Sequence, residues 1–171
     1  TSPLRVRILQ AGQPAAIDET WLRERIAAAA AQRAELPPTG TSGYRLIHGE
    51  NDGLPGLVLD RYEDTLVIKL YTAAWVPWLS RVLPALAAIQ PAGRVVLRLS
   101  RELMNRPEHL YGLEEGLLTG ADFDGPPGLV QFSENGLRFE ADVLRGQKTG
   151  FFLDQRENRA RVERLAAGKR V

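Results

Sequence analysis

Residues 57–71, LVLDRYEDTLVIKLY, contain two short apolar runs separated by the acidic pair Glu63-Asp64. The runs, 57–62 and 66–71, are rich in leucine, valine, isoleucine and tyrosine, and most of these residue types favour β-strands. The acidic pair between them indicates a turn. The sequence therefore predicts two consecutive strands here.

Further strand-like segments flank this pair. Residues 44–48 precede it across a turn-rich stretch at 49–56, and residues 95–99 follow it. Before residues 95–99, the stretch 75–89 has the spacing of an amphipathic helix, in which Pro84 should cause a kink or a break. The order strand, strand, helix, strand predicts an α+β domain: a small mixed sheet with one main packing helix.

A β-hairpin is expected after this unit. Residues 129–133 and 137–143 alternate apolar and polar side chains around Glu134-Asn135-Gly136, and the Asn-Gly pair is a strong hairpin signal. Residues 101–128 carry scattered glycines, prolines and acids, so we expect a long surface loop with a short helical turn near Glu102.

The first forty residues predict a strand and a helix. Residues 5–9 alternate like a short strand, which would need a sheet to join and hints at sequence before Thr1. Asp18 suits a helix N-cap, and the alanine-rich helix after it should run to about Leu36 as a connector. Residues 37–43 then form a linker.

Composition narrows the function classes. The 171 residues include no cysteine, which excludes disulfides, cysteine zinc sites and a thiol nucleophile within this chain. No secretory signal and no apolar run long enough for a membrane are seen, so we expect a cytoplasmic protein without membrane contact. From Arg138 onward nine Lys/Arg face five Asp/Glu, a basic balance compatible with RNA or with an ordinary solvated helix.

The stretch richest in candidate ligand-binding residues is 146–159, GQKTGFFLDQRENR. Gly146 and Gly150 indicate a tight turn, residues 151–153 are apolar enough to be buried, and Asp154 could cap a helix that ends near Gly168. Polar side chains at a helix start after a glycine turn suit a ligand shelf. A hairpin followed by a capped helix explains the same pattern without a ligand.

These motifs resemble a known family. Residues 134–139, ENGLRF, and 146–159 resemble the signature before the catalytic domain of bacterial 23S rRNA cytosine-C5 methyltransferases. Residues 48–50, HGE, 52–58, DGLPGLV, and 60–62, DRY, resemble the start of that family's central domain. The resemblance extends over almost the whole chain.

The resemblance implies a domain layout. Residues 1–40 would be the end of a PUA-like domain with its connector helix, and 41–145 a central α+β domain. Residues 146–171 would be the hairpin's end and the first helix leading into a Rossmann-like methyltransferase domain, with 168–171 before its first strand. The family's glycine-rich SAM turn and its nucleophilic cysteine are not in this chain, so it should not methylate alone.

The cofactor implied is S-adenosyl-L-methionine (SAM). By matching position, the candidates for its site are Phe152, Asp154, Gln155 and Arg156, and Arg156 could pair with the SAM carboxylate. No catalytic residue or metal ligand is assigned within the chain. The implied partner is 23S ribosomal RNA, and a homodimer is a further expectation. Guanine-N7 methyl transfer and a non-catalytic RNA-binding adaptor are the alternatives.

Other candidates have simple structural explanations. His48 and Glu50 could act as acid and base, although a turn histidine is the commoner case. The tryptophans could stack on bases or anchor helices to a core, and three arginines could contact phosphate or form a solvated rim. These residues are Trp21, Trp75 and Trp78, and Arg98, Arg101 and Arg106.

Overall fold

The structure is a computed structural model that describes residues 6–170. It is an α+β fold, as predicted, with one five-stranded mixed sheet and one two-stranded sheet. The strands are β1 (Gly43–His48), β2 (Leu57–Tyr62), β3 (Thr65–Leu70), β4 (Arg94–Leu99), β5 (Gly116–Gly120), β6 (Leu129–Glu134) and β7 (Leu137–Asp142). The helices are α1 (Glu19–Ala31), α2 (Leu79–Ile89), α3 (Arg101–Met104) and α4 (Arg156–Ala166).

The five-stranded sheet has the order β1-β2-β3-β4-β5. Neighbouring strands are antiparallel except β3 and β4, which are parallel because α2 carries the chain back to the starting edge. The predicted order strand, strand, helix, strand is therefore confirmed in β2, β3, α2 and β4.

Helices α1 and α2 cover one face of this sheet. Leu59, Ile68 and Leu97 are cross-strand neighbours on this face and are fully buried. The α1 helix, predicted as a connector, packs Trp21 and Leu22 into the same apolar cluster. This face carries the larger of two hydrophobic cores.

The β6–β7 hairpin covers part of the opposite face. Its Phe132 packs edge-on against Tyr62 of β2 at 5.2 Å between ring centroids. The same ring lies where a Cβ on Gly43 of β1 would stand, only 2.0 Å away, so this position requires glycine. The predicted Asn-Gly turn is confirmed, with φ of 52° at Asn135 and 81° at Gly136.

Two predictions about the first forty residues need correction. Residues 6–9 form no strand, because Val6 and Ile8 point into solvent instead of joining a sheet edge; Arg5 lies outside the described residues. The α1 helix is capped by Asp18, whose carboxylate accepts from the Trp21 amide at 2.9 Å, but it ends at Ala31, before the predicted Leu36. Turns at 32–36 lead into a short 3₁₀ helix at Pro37–Thr39.

Pro84 does not break α2, which runs unbroken through it. The carbonyl that loses its hydrogen bond belongs to Ser80, and both Ser80 and Pro84 are exposed, so water can satisfy it. The α2 face that contains Leu79, Val82 and Leu86 is buried and holds the helix in place.

The segment 101–128 is more regular than predicted. The expected helical turn near Glu102 is α3, but residues 116–120 form β5 at the edge of the sheet, paired with β4. Glycine, which has a low preference for strands, stands at both ends of β5, so the local sequence does not indicate a strand. Pairing with β4 outweighs this low preference.

Candidate functional site

The glycine turn after the hairpin is built as the sequence predicts. The Gly146 amide donates to the Asp142 carbonyl at 2.9 Å, and the Gly150 amide donates to the Gln147 carbonyl at 2.8 Å. A Cβ at Gly146 would approach the Asp142 oxygen to 2.4 Å. The turn therefore depends on close backbone approach, and a side chain at this position would force it open.

Thr149, within this turn, is fully buried against the sheet. Its hydroxyl donates to Asp60 Oδ2 at 2.5 Å and lies 2.9 Å from the Tyr62 hydroxyl. Asp60 is itself fully buried, and its two carboxylate oxygens accept hydrogen bonds from Arg45 at 2.8 and 3.0 Å. Because a carboxylate only accepts, Thr149 must donate to Asp60, which leaves its lone pairs for Tyr62.

This buried network shifts the acidity of Tyr62. Burial, reinforced by the negative charge of Asp60, raises the pKa of Tyr62 well above that of a free phenol. The phenol therefore remains protonated and available as a donor to Thr149.

Two cations of the sheet hold the turn through its backbone. Lys69 Nζ donates to the Lys148 carbonyl at 2.8 Å, and Arg98 donates to the carbonyls of Val143 and Gly146 at 3.1 and 3.2 Å. Lys148 has a φ of 58°, a conformation that costs energy for any residue except glycine. These contacts explain how a lysine is kept there, and sequence patterns alone do not indicate them.

Phe152 and Asp154 lie on the surface next to this turn. Phe152 is 42% exposed and Phe151 and Leu153 are only partly buried, so the prediction that residues 151–153 are buried is wrong. Lys148 Nζ lies 4.6 Å from the centre of the Phe152 ring and 2.6 Å from Asp154 Oδ1. The hydrogen bond from Lys148 lowers the pKa of Asp154.

Asp154 does not cap the helix, contrary to the prediction. It lies inside a short 3₁₀ helix, Leu153–Gln155, and its carboxylate turns toward Lys148. Gln155 is the residue at the N-cap position of α4, and its side chain accepts from Asn158 Nδ2 at 2.7 Å. An ion pair with Lys148 thus replaces the cap that the residue type suggested.

Arg156, the fourth predicted cofactor residue, reaches the hairpin turn. Its Nη2 and Nε donate to Asn135 Oδ1 at 2.6 and 3.1 Å, and its Nη1 contacts Glu157 at 3.2 Å. Lys148 contacts two of the four predicted residues, Phe152 and Asp154. Gln155 lies 3.5 Å from Asp154, and Arg156, next in the chain, turns toward the hairpin. We give one name, the ledge, to the five residues Lys148, Phe152, Asp154, Gln155 and Arg156.

A second ion pair holds α4 in place. Arg159 binds both oxygens of Glu134 at 2.7 and 2.6 Å, and Glu134 is buried. The Arg159 guanidinium also lies 4.6 Å from the centre of the Phe151 ring. Every residue of α4 is at least partly exposed, and Val162 and Leu165 are apolar side chains in solvent, so this helix depends on polar contacts.

The ledge carries polar groups of both charges beside an aromatic ring, and its binding of a ligand stays a prediction. It presents an aromatic ring, an ammonium, a carboxylate, an amide and a guanidinium within a few residues. It is an open surface: a groove of about 720 Å³ lies elsewhere, between the end of α1 and the hairpin, and no ledge residue lines it.

Four of the remaining candidates have contacts that explain them structurally. Trp21 and Trp75 are buried, and Trp75 Nε1 donates to the Pro55 carbonyl at 2.9 Å, so they cannot stack on bases. His48 contacts Asn51 and Glu50 pairs with Arg7, so they form no acid–base pair.

The remaining tryptophan and the arginines differ in exposure. Trp78 is partly exposed beneath Arg81. The Arg98 side chain already donates to carbonyls of the glycine turn, whereas Arg101 is exposed and Arg106 partly exposed. Contact of Arg101 and Arg106 with phosphate therefore stays a prediction.

Within residues 6–170, no helix is long and apolar enough to cross a membrane. In the same residues, no group of three histidine or carboxylate side chains is arranged to hold a metal ion.

Comparison of the sequence with curated proteins finds extensive similarity, although no family model matches. The chain is 54% identical over 175 residues to the ribosomal RNA large subunit methyltransferase of Deinococcus radiodurans. It is 37% identical over 171 residues to the ribosomal RNA large subunit methyltransferase I of Shewanella denitrificans. Each match covers 99% of this chain and 42% of the relative.

Two solved structures share the fold at 19% sequence identity. One, described as a SAM-dependent methyltransferase from Streptococcus mutans, has a TM-score of 0.72 over 88% of this chain and 37% of its own. The other, described as a methyltransferase complexed with SAH, has a TM-score of 0.71 over 86% of this chain and 36% of its own. The fold is thus one found within methyltransferases, and over nearly its whole length this chain is similar to part of the ribosomal RNA large subunit methyltransferases.

Proposed function

We propose that the whole protein transfers a methyl group from SAM to a base of large-subunit ribosomal RNA. The observation that carries this proposal is the 54% identity, over 99% of the chain, to a ribosomal RNA large subunit methyltransferase. Because the chain spans 42% of that relative's length, the catalytic machinery is proposed for the whole protein and not for these residues alone.

In this proposal the ledge is one wall of the methyl-donor pocket. SAM has a carboxylate and an ammonium at its methionine end, which Arg156 and Asp154 can bind by charge-assisted hydrogen bonds. Phe152 offers an apolar surface for the rest of the donor, and Gln155 offers an amide. Lys148 keeps Asp154 ionised and in position. The exposed Val162 and Leu165 of α4 suit contact with a further part of the whole protein.

The finer proposal is transfer to C5 of a cytosine in 23S rRNA. In that reaction a thiolate adds to C6, and the S–CH₃ bond of SAM breaks as the C5–CH₃ bond forms. A base then takes the C5 proton, the C5=C6 bond re-forms, and the C6–S bond breaks to release the thiolate. This chain has no cysteine, so the thiolate must belong to another part of the whole protein. The proposed layout is residues 1–40 as the end of a PUA-like domain, 41–145 as the central domain and 146–171 as the lead into the catalytic domain. A cytoplasmic homodimer completes the proposal.

Calorimetric titration with SAM tests the ledge. In the whole protein, Arg156→Met should raise the Kd for SAM about tenfold or more, because a charge-assisted hydrogen bond is lost. Arg161→Met removes an exposed cation of the same helix and should leave the Kd unchanged. The 171-residue chain alone should bind SAM only weakly. Equal Kd values for the Arg156 and Arg161 variants would contradict the proposed wall.

The methylated base is identified by product analysis. The whole protein is incubated with SAM labelled in its methyl group and 23S rRNA, and the digested RNA is analysed by mass spectrometry. The proposal expects 5-methylcytosine. Detection of 7-methylguanine would support the guanine-N7 alternative, and RNA binding without incorporated methyl would support the adaptor.

A further inference from the structure

The sheet face that carries the hairpin is only partly covered. Side chains alternate along a strand, so Tyr62 and Val67, which pack under the hairpin, share this face with Asp60 and Lys69. Lys69 is the cross-strand neighbour of Arg98 on β4. At this end of the face the chain continues to Tyr71, which lies just past β3.

Two cations and one aromatic side chain lie together where the hairpin stops. The Arg45 side chain is 31% exposed although its guanidinium binds the buried Asp60. Lys69 Nζ lies 5.8 Å from the centre of the Tyr71 ring. We call Arg45, Lys69 and Tyr71 the sheet-face strip.

The strip has an excess of positive charge. Asp60, the carboxylate beneath it, is fully buried and already accepts from Arg45 and Thr149. Burial, reinforced by repulsion from the nearby Arg98, lowers the pKa of Lys69. With Arg45 and Lys69 as cations and Asp60 as the one carboxylate, the strip keeps an excess of one positive charge, which favours a polyanion as the partner.

Tyr71 gives the strip an aromatic surface. The residue is 48% exposed, although its amide is fixed by a hydrogen bond to the Gly56 carbonyl at 2.8 Å. An exposed tyrosine on a fixed backbone, next to cations, is the arrangement that single-stranded nucleic acids bind: bases stack on the ring and phosphates contact the cations.

The strip is continuous with the ledge. Lys69 Nζ donates to the Lys148 carbonyl at 2.8 Å, and the Lys148 side chain lies over the Phe152 ring. A strand bound on the strip would therefore run directly beside the proposed donor site.

We infer that the sheet-face strip binds an unpaired RNA strand, with one base stacked on Tyr71 and the backbone phosphates on Lys69 and Arg45. This places the strand next to the ledge, so the nucleotide to be modified enters from this side. The choice of RNA as the substrate depends on the proposed function, whereas the path of the RNA over the protein is argued from the residues of the strip.

The test measures binding of a fluorescein-labelled, twelve-nucleotide oligocytidylate RNA to the whole protein by fluorescence anisotropy at several salt concentrations. Tyr71→Leu should raise the Kd by about 5- to 150-fold, because base stacking on an aromatic ring is lost. Tyr71→Phe keeps the ring and should bind within about twofold of the natural protein. Lys69→Met should reduce the slope of log Kd against log salt by about 0.7, the value for one phosphate contact in a single strand.

Arg23→Met is the matched control for loss of one cation. Arg23 lies on α1, which covers the opposite face of the sheet, and should not affect RNA binding. Unchanged affinity in Tyr71→Leu would overturn the inference, as would an equal loss in Arg23→Met. So would a duplex RNA that binds as well as the single strand. If Tyr71→Leu unfolds more easily in urea, the salt dependence of RNA binding decides instead. A reduced slope in Lys69→Met but not in Arg23→Met supports the inference, and equal slopes in the two variants overturn it.

Calorimetry with SAM separates this inference from the proposed function. Tyr71→Leu should leave the Kd for SAM unchanged because Tyr71 is not part of the ledge. RNA binding that depends on Tyr71 in a protein that binds no SAM would refute the donor site and keep the strip. SAM binding with RNA affinity independent of Tyr71 would refute the strip and keep the donor site.

Discussion

Thr149 connects the glycine turn to the sheet through a single hydroxyl group. Its oxygen lies within hydrogen-bond distance of both Asp60 and Tyr62, and all three side chains are buried. A buried hydrogen bond to a charged group contributes more than one between neutral groups, because the charge has no water to replace the lost partner. This hydroxyl is therefore expected to determine much of the stability of the turn.

Thr149→Val keeps the shape of the side chain and removes only the hydroxyl. We expect the free energy of unfolding to fall by about 2–3 kcal/mol, since Asp60 loses a buried donor. Urea denaturation measures the change. Thr149→Ser keeps the hydroxyl, loses one methyl group and should cost about 1 kcal/mol. If valine is tolerated better than serine, the hydroxyl is not the important group.

Tyr62 makes stability depend on pH in the alkaline range. Its pKa in the folded protein is raised by burial, whereas in the unfolded chain it is that of a free phenol, about 10. The stabilisation is therefore complete below about pH 10 and is lost as the pH rises further, because only the unfolded chain then releases the proton.

The measurement is urea unfolding of the natural protein and of Tyr62→Phe between about pH 8 and about pH 11. The free energy of unfolding should fall more steeply with pH in the natural protein. All other titrating groups are common to both proteins, so the difference isolates Tyr62. Parallel pH profiles would show that Tyr62 ionises equally in both states.

At the scale of residues, the sequence predicts conformations better than contacts. The glycine turn and the Asp18 cap are local properties, and both are confirmed. Asp154 was expected to cap α4 because of its residue type, but its ion pair with Lys148 depends on the turn that brings Lys148 back. The Asp60–Thr149 contact joins residues 89 positions apart, a separation at which local patterns give no information.

The α4 helix is an element held by charge. It has no fully buried side chain, and the Arg159–Glu134 pair is its firmest connection to the hairpin. Removing Arg159 would leave the buried Glu134 without its ionic partner, which is costly.

Arg159→Met should loosen α4 without unfolding the sheet. We expect amide hydrogen exchange across residues 156–166 to accelerate about tenfold or more, while β2 and β3 keep their protection. Arg161→Met, at an exposed site of the same helix, serves as the control and should leave exchange unchanged. Equal acceleration in both variants would mean that general charge on the helix, and not this ion pair, holds it.

At the scale of elements, strong local patterns predict well and weak ones do not. The β6–β7 hairpin has alternation and an Asn-Gly turn, and the structure contains it at nearly the predicted residues. The strand β5 lacks such a pattern because glycine begins and ends it, and only pairing with β4 defines it. Residues 6–9 show the reverse case, in which alternation without a neighbouring strand forms no sheet.

The whole molecule is organised around a sheet with two differently covered faces. Helices α1 and α2 cover one face, and the hairpin with the glycine turn covers part of the other. Since both cores share the strands β2, β3 and β4, loss of packing on one face should weaken the other.

Phe132→Ala tests this coupling. All three tryptophans lie on the side of α1 and α2, whereas Phe132 packs under the hairpin. We expect the free energy of unfolding, measured by tryptophan fluorescence, to fall by about 3–5 kcal/mol, the usual cost of removing a buried phenylalanine ring. A transition at the same urea concentration as in the natural protein would show that the two faces unfold separately.

At the largest scale, periodicity and turn residues were enough to predict the α+β class, and motif resemblance indicated the function that we propose. Neither indicates the sheet-face strip. Lys69 and Tyr71 are close in sequence, but Arg45 lies on β1, and the pairing of β1, β2 and β3 is what brings it to the same face. Surfaces of this kind follow from topology and are seen only when the strands are assembled.

Lys69 and Arg98 hold the glycine turn by its carbonyl oxygens, which every amino acid possesses. The anchoring is consequently indifferent to the side chains of the exposed positions 145 and 147. Those two positions are therefore expected to tolerate many residue types while the path of the turn over the sheet is preserved.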